Sequence, residues 1–370
     1  MKRRHFPSAA LLPLLVLPVT ARAQSPGAGV SAGYESYHFS DPEQTGMQTI
    51  SLLTVPLAAR VPLFGGAALD LHGAWARGSM RLADGSTVTL QGPTDTQLGL
   101  VLPLKRDVAS LTAVALLPTG KQKETLDEAL VAGVLASELL PFSISNWGAG
   151  GAAGMAAAVE HAFGRFGVGG SASYLVARRY DLLEENGFAY RPGNQLRARL
   201  ALDATTGATG KASLQLTYLH SSEDAVDGSN LFRPGDRFQA MGSWAFAAGE
   251  RSSGILYAGV FRRDQASFLV ARPVQPPAQT LFMAGGGARL PVGRSVLLPS
   301  LDMRVLRRSD GLSQGVMAGL GGSAQIPLGG VTVLPEARAR LGHVVVSEGS
   351  ETGFTGFDLG LGVRFGGGRP

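Results

Sequence analysis

A two-residue alternation of apolar side chains with polar or tiny ones, sustained over long runs, constrains this chain more than any other feature. Phe357, Leu359, Leu361, Val363 and Phe365 alternate with Asp358, Gly360, Gly362 and Arg364. Leu196, Ala198, Leu200 and Leu202 alternate with Arg197, Arg199, Ala201 and Asp203, and Leu69, Leu71, Gly73 and Trp75 with Asp70, His72, Ala74 and Ala76. This is the period of a strand with one apolar face. Sixteen such segments are predicted, at 28–40, 46–62, 67–82, 94–104, 108–119, 146–163, 166–179, 194–206, 210–222, 235–248, 252–264, 279–291, 294–308, 313–327, 331–346 and 353–366. Soluble strands average about 5–6 residues, whereas membrane barrels use segments of about 10 with an apolar-out, polar-in pattern. The expected fold is therefore all-β: a transmembrane antiparallel barrel of 14–16 strands, with 28–40 and 146–163 deciding the number.

The connections alternate in character. Short ones fall near Phe64-Gly65-Gly66, Lys105-Arg106-Asp107, Gly164-Arg165, Thr206-Gly207, Gly249-Glu250-Arg251, Val292-Gly293-Arg294 and Leu328-Gly329-Gly330. Several follow a proline at the strand end, namely Pro62, Pro103, Pro291 and Pro327, where a missing N–H is tolerated. Longer polar gaps lie between them, four carrying the hairpin dipeptides Asp84-Gly85, Asn186-Gly187, Asp227-Gly228 and Asp310-Gly311. Short turns on one side and long loops on the other is the wiring of an outer-membrane barrel.

One stretch departs from the pattern. Thr125-Leu126-Asp127-Glu128 fits a capping box, and Leu126, Leu130, Val134 and Ser137 follow helical spacing up to Pro141. This short helix sits in the longest loop, about 120–145, on the long-loop side. Two readings stand: a cap packed on neighbouring loops, or a lid or constriction folded into the mouth of a pore.

Composition narrows the function. Residues 1–23 read as a cleaved secretory signal, with Lys2-Arg3-Arg4, an apolar run from Ala9 to Val19 and an Ala21-Arg22-Ala23 cleavage site. The barrel domain then spans 24–370. The leader carries four basic residues and no acid against a formal net charge of +5, so the remainder is nearly neutral and no nucleic-acid partner is expected. With no cysteine, disulfides and zinc–thiolate sites are excluded. The uncharged run from Leu139 to Val159 is too glycine-rich and polar for a spanning helix. An exported chain without such a helix is soluble or a closed barrel.

Motifs for chemistry are weak. Gly148-Ala149-Gly150-Gly151-Ala152-Ala153 satisfies G-x-G-x-x-A, but no strand–helix–strand pattern surrounds it. Pro118-Thr119-Gly120-Lys121 lacks the first glycine and the closing hydroxyl of a phosphate loop. The histidines are scattered, and none pairs with a particular serine. No enzyme activity and no cofactor or metal are expected.

Charge on the polar strand face carries more information. Arg197, Arg199, Asp203, Asp302, Arg304, Glu336, Arg338, Arg340, Asp358 and Arg364 should point inward, because a lone charge facing lipid costs about 2–4 kcal/mol at the midplane. They either pair to close a polar core or line a pore that selects solutes by charge. The inward excess of arginine favours anions. Tyr34, Tyr37, Trp75, Tyr174, Tyr218, Trp244, Tyr257 and Phe365 fall near strand ends, where interfacial girdles sit.

The run Thr94-Asp95-Thr96-Gln97-Leu98-Gly99-Leu100-Val101-Leu102-Pro103-Leu104, followed by Leu116-Leu117-Pro118-Thr119-Gly120-Lys121, resembles a known family. These are the transporter-like outer-membrane proteins associated with the meta-pathway of phenol degradation. The resemblance covers about 92–121, and more weakly to about 180. The capped helix after Lys121 is not part of the motif. Membership would imply a barrel for uptake of small, often hydrophobic or aromatic compounds, without catalytic residues. The closing strand Phe357 to Phe365 resembles the C-terminal signal read by barrel-assembly machinery, although Gly366 to Pro370 follow it. The expectation is an outer-membrane pore for passive passage of small solutes, in contact with outer-membrane lipid. A closed structural or adhesive barrel is the alternative, and the oligomeric state is left open.

Overall fold

A computed structural model describes residues 29–105, 108–181, 183–184, 188–207, 209–269, 275–309, 313–347 and 350–365. The leader 1–23, Arg106-Asp107, the Asn186-Gly187 and Asp310-Gly311 turns and the tail after Phe365 lie outside these residues. In chain order the first strands are β1 (Gly29–Phe39), β2 (Met47–Pro62), β3 (Ala68–Leu82), β4 (Thr87–Pro93), β5 (Thr96–Lys105) and β6 (Ala109–Leu117). A short helix α1 (Pro42–Thr45) joins β1 to β2, and α2 (Leu126–Leu135) lies between β6 and β7 (Ala152–Phe163). Then come β8 (Phe166–Ala177), β9 (Tyr180–Asp181), β10 (Ala189–Arg191), β11 (Gln195–Thr206), β12 (Gly210–Ser221), β13 (Asp224–Val226) and β14 (Ser229–Arg233). The chain ends with β15 (Arg237–Ala247), β16 (Ser253–Arg263), β17 (Ser267–Phe268), β18 (Gln279–Val292), β19 (Ser295–Arg308), β20 (Ser313–Leu328), β21 (Val331–Ser347) and β22 (Ser350–Phe365).

The long strands form one antiparallel wall in which every neighbour is the next long strand in sequence. The wall closes where β1 pairs β22, from Gly29 with Arg364 to Phe39 with Phe354. Among the described residues this gives sixteen strand positions, because β4 and β5 share one: β4 pairs the upper part of β3 and β5 the lower. The predicted segment at 94–104 is thus the lower half of an interrupted strand. The predicted strand at 146–163 begins only at Ala152; its first residues belong to the loop.

Alternation explains the wall. On β11 the even residues Leu196, Leu200 and Leu202 are exposed while Arg197, Arg199, Ala201 and Asp203 are partly covered. Register carries this face around: Arg197 lies opposite Ser173 and Leu219, Asp302 opposite Gly285 and Gly319, and Asp358 opposite Arg338 and Glu35. The other face presents Leu320, Leu341, Phe357, Leu359 and Leu361, an apolar belt suited to lipid. No helix among the described residues is long and apolar enough to cross a membrane.

Short turns sit at one end. Gly164, Gly293 and Gly329 have φ of 60, 59 and 64 degrees, a left-handed conformation that glycine adopts without a Cβ clash. At the loop end, β9, β10, β13, β14 and β17 build a second, five-stranded sheet. Its strands are two to five residues long, below the length at which alternation is legible, and sequence reasoning took this region as plain loop.

Two of the predicted girdle aromatics face the other way. Tyr37 shares the inner face with Glu35 and is fully buried. Tyr257 pairs Ser243 and Gly285 on the inner face of β16. Strand parity, rather than closeness to a strand end, set their direction. Tyr34, Trp75, Tyr174, Tyr218, Trp244 and Phe365 are exposed.

Candidate functional site

The loop between β6 and β7 contributes to a buried apolar cluster shared with the barrel strands. Thr125 caps α2 through the Glu128 N–H, and the Glu128 carboxylate accepts from the Thr125 N–H, closing the predicted capping box. The buried stripe is not the predicted one, however. Val131 and Leu135 are buried, whereas Leu126 and Leu130 are exposed. Spacing defined the helix, but both stripes are apolar, and only the packing partner distinguishes them.

That partner is the inner face of the barrel. Val131, Leu135, Leu139, Leu140 and Trp147 join one buried cluster with Tyr37 and Phe39 on β1, Ile50 and Leu52 on β2, Ala76 and Met80 on β3 and Leu90 on β4. Past the β1–β22 seam the same cluster takes in Leu281, Leu306, Met317 and Phe354. The loop is therefore an insert packed within the barrel, the constriction of the two readings rather than a cap on other loops.

Polar contacts fix it. Ser143 donates from its N–H and its hydroxyl to Glu35 Oε2, at 2.9 and 2.8 Å, and its Oγ lies 3.0 Å from Thr54 Oγ1. The Trp147 indole N–H donates to the Ala76 carbonyl at 3.2 Å. Phe142 meets Tyr37 edge-on with centroids 5.1 Å apart. Glu138 approaches Arg263 of β16 at 4.0 Å.

Both ends of the insert are clasped at the break between β4 and β5. Asp95 accepts from the Gly120 N–H at 3.0 Å and the Ala149 N–H at 2.6 Å. The Thr119 hydroxyl accepts from the Thr96 N–H at 2.9 Å and donates to the Thr94 carbonyl at 3.1 Å. A Cβ on Gly120 would stand 1.9 Å from the Trp147 carbonyl oxygen, so this crossing admits only glycine. The two halves of the quoted motif, Thr94-Asp95-Thr96 and Pro118-Thr119-Gly120, thus meet in space and close the neck of the insert. Gly148-Ala149-Gly150-Gly151 forms its exit and opens no nucleotide-binding helix; β7 follows.

All ten charged residues selected from the sequence lie on the inner face, in different company. Five form an ion-pair network on β19, β21 and β22. Arg340 donates twice to Asp358 Oδ2, at 2.8 and 2.6 Å, and stands 3.5 Å from Asp302. Arg338 donates to Asp302 at 3.2 Å and to Ser300 at 3.1 Å, with Glu336 at 4.0 Å. Glycines make room beneath: a Cβ on Gly319 would lie 2.8 Å from Asp302 Oδ1. Asp203 pairs Lys211 at 3.2 Å and accepts from Ser213. Arg364 is exposed at the turn end of β22.

Arg197, Arg199 and Arg304 form no ion pair with the described residues. Arg304 has Asp302 and Arg340 as charged neighbours, whereas Arg197 has Arg199 and Arg237 beside it. Sequence reasoning missed Glu35, Arg237 and Arg263, which share the same face. Gln239 and Phe238 flank the parity that would have found Arg237. Glu35 gave no such signal, since its partner Ser143 is 108 residues away.

The insert covers only part of the inner wall. Its apolar cluster draws on β1–β4, α2, β16 and β18–β22, and no residue of β5–β15 belongs to it. The uncovered sector carries Ser171, Ser173, Ala201, Ser213, Gln215, Thr217 and Gln239 beside the free arginines.

No protein-family model and no curated protein matches this chain. Several solved outer-membrane chains are similar to it. A bacterial polysaccharide outer-membrane secretin aligns over 93% of this chain and 100% of its own at 10% identity and a TM-score of 0.46. OmpT of Vibrio cholerae aligns over 92% and 98% at 12% identity and a TM-score of 0.42. A triple mutant of Rhodopseudomonas blastica porin aligns over 92% and 99% at 13% identity and a TM-score of 0.39. The fold rests on the closed strand order itself. Nothing in these matches points to phenol degradation, and the motif residues stand as the neck of the insert.

Proposed function

We propose that this chain, exported with loss of residues 1–23, is an outer-membrane channel for passive passage of small solutes. One observation carries the reading: a sixteen-position wall whose insert leaves the polar inner face of β6–β15 uncovered. Barrels of 16–18 strands are wide enough for an aqueous channel. A side-chain-filled closed barrel would cover that sector with apolar residues as it does the other. The alternative, a closed structural or adhesive barrel, draws on the buried cluster around Trp147. The motif resemblance adds aromatic compounds to the candidate solutes. The reading includes contact with outer-membrane lipid and assembly by the barrel-assembly machinery, and it assigns no catalytic step.

Reconstitution of the mature chain in a planar bilayer tests it. Discrete conductance steps, from protein whose gel mobility shifts on boiling, are the expected result. A boiling-sensitive band with a silent bilayer would favour the closed barrel, and a soluble protein without a shift would sink the membrane reading.

A further inference from the structure

The uncovered sector is not electrically neutral. Register places Ser173, Arg197, Leu219, Arg237, Arg263 and Gln279 side by side in one row, from β8 to β18. Arg199 lies two residues along from Arg197 on the same face, opposite Ser171 and Thr217. Arginine keeps its charge in any protein environment. No acid stands in the row; Glu160 of β7 shares the inner face farther along, opposite Gly169, whose other partner is Ala201, and the remaining wall acids nearby are engaged. Asp302 and Asp358 face Arg338 and Arg340, Asp203 faces Lys211, and Glu35 accepts from Ser143. Glu138 of the insert reaches only Arg263, at 4.0 Å. Arg199 is half-buried and forms no ion pair with the described residues, and its Nε has no hydrogen-bond partner among them.

Four cations therefore line one oblique track, and three of them have no carboxylate in contact. Guanidinium groups offer forked N–H donors that match carboxylates and other small oxyanions. Repulsion among Arg197, Arg199 and Arg237 is relieved when an anion enters between them, and a cation entering there meets only like charge.

We propose that the channel is anion-selective, and that Arg197, Arg199, Arg237 and Arg263 form a lane for chloride and small organic carboxylates. This rests on the passive-channel reading and names its solute class.

The test is the reversal potential of the reconstituted mature chain across a potassium chloride gradient. A lined cleft raises local counter-ion concentration by about tenfold or more, so a chloride-over-potassium permeability ratio near that size is expected. Replacing chloride by benzoate on one side should leave a measurable anion current. The double variant Arg197→Glu, Arg237→Glu should invert the preference while keeping the conductance steps and the boiling-sensitive band. Arg199→Gln, a milder change, should lower the ratio without inverting it, and serves if the double variant fails to fold. A wild-type channel that prefers potassium or neither ion would overturn the lane. So would an unchanged ratio in the folded variants. Absence of any steps would instead sink the channel reading on which the lane depends.

Discussion

The two sectors of the inner wall are built on the same two-residue period and yet serve opposite ends. On β1–β4 and β18–β22 the inner positions include large apolar side chains such as Tyr37, Ile50, Met80 and Met317, glycines such as Gly319, and the paired charges of β19, β21 and β22. Those residues receive the insert and support an ion-pair network beneath it. On β7–β15 the inner positions are mostly small or polar, with charges such as Glu160, Arg197, Arg199, Asp203 and Arg237 and a few larger apolar residues such as Leu219 and Met241, and none of them belongs to the buried cluster. The lesson is that a barrel's outer face sets where it sits, while the inner face decides sector by sector what fills it. Apolar inner residues attract a plug because burying them releases water; polar ones are better left wet.

Substitutions can break this contrast. The largest effect is expected from Trp147→Ala, which empties a fully buried aromatic site and removes the indole hydrogen bond to the Ala76 carbonyl. A loss of about 3–5 kcal/mol follows from such deletions. It should appear as a lower temperature for the gel-mobility shift, together with larger or noisier conductance as the insert loosens. An unchanged transition would mean the insert contributes little to the folded barrel.

Arg340→Met should come next, at about 3 kcal/mol, because it leaves Asp358 buried without its cation and takes one of two cations from Asp302, which keeps Arg338. Adding Asp358→Asn to the same chain should recover part of the loss, since the carboxylate left unpaired by the first change is then neutral. Equal loss in single and double variants would show that packing, not charge, is at stake.

Asp95→Ala removes two hydrogen bonds to a carboxylate at the neck of the insert, worth about 2 kcal/mol together. Faster protease cleavage between 121 and 147, with the wall intact, is the expected reading.

The mildest effect concerns acid. Burial works against ionisation of Glu128, but Lys121 and the Thr125 N–H outweigh it and hold the carboxyl below its usual range. Its contribution is thus fully present above the ordinary carboxylate range and is lost as pH falls through the lowered value. A cap of this kind is worth about 1 kcal/mol. Protease cleavage near α2 should rise at acid pH in the wild type and much less in Glu128→Gln. As the counterpart on the other sector, Gln215→Ala should change stability by no more than about 0.5 kcal/mol.

Much of this architecture was legible in the chain. The alternation around Leu196 to Asp203 and Phe357 to Phe365 fixed which side chains face lipid, because period two is a property of each strand alone. Glycines at turns such as Gly164-Arg165 and Gly329-Gly330 placed the strand ends for the same local reason. The capping box located α2 to within a residue. The fate of the insert was not legible, because Glu35 and Ser143 meet across 108 residues and Trp147 and Ala76 across 71. Which helix face is buried, why Tyr37 and Tyr257 turn inward, and where the strand breaks at Thr94-Asp95 all depend on those contacts. Local periodicity gave the wall and its two faces; only closure of the barrel brought distant strands together and decided which part of the interior is filled.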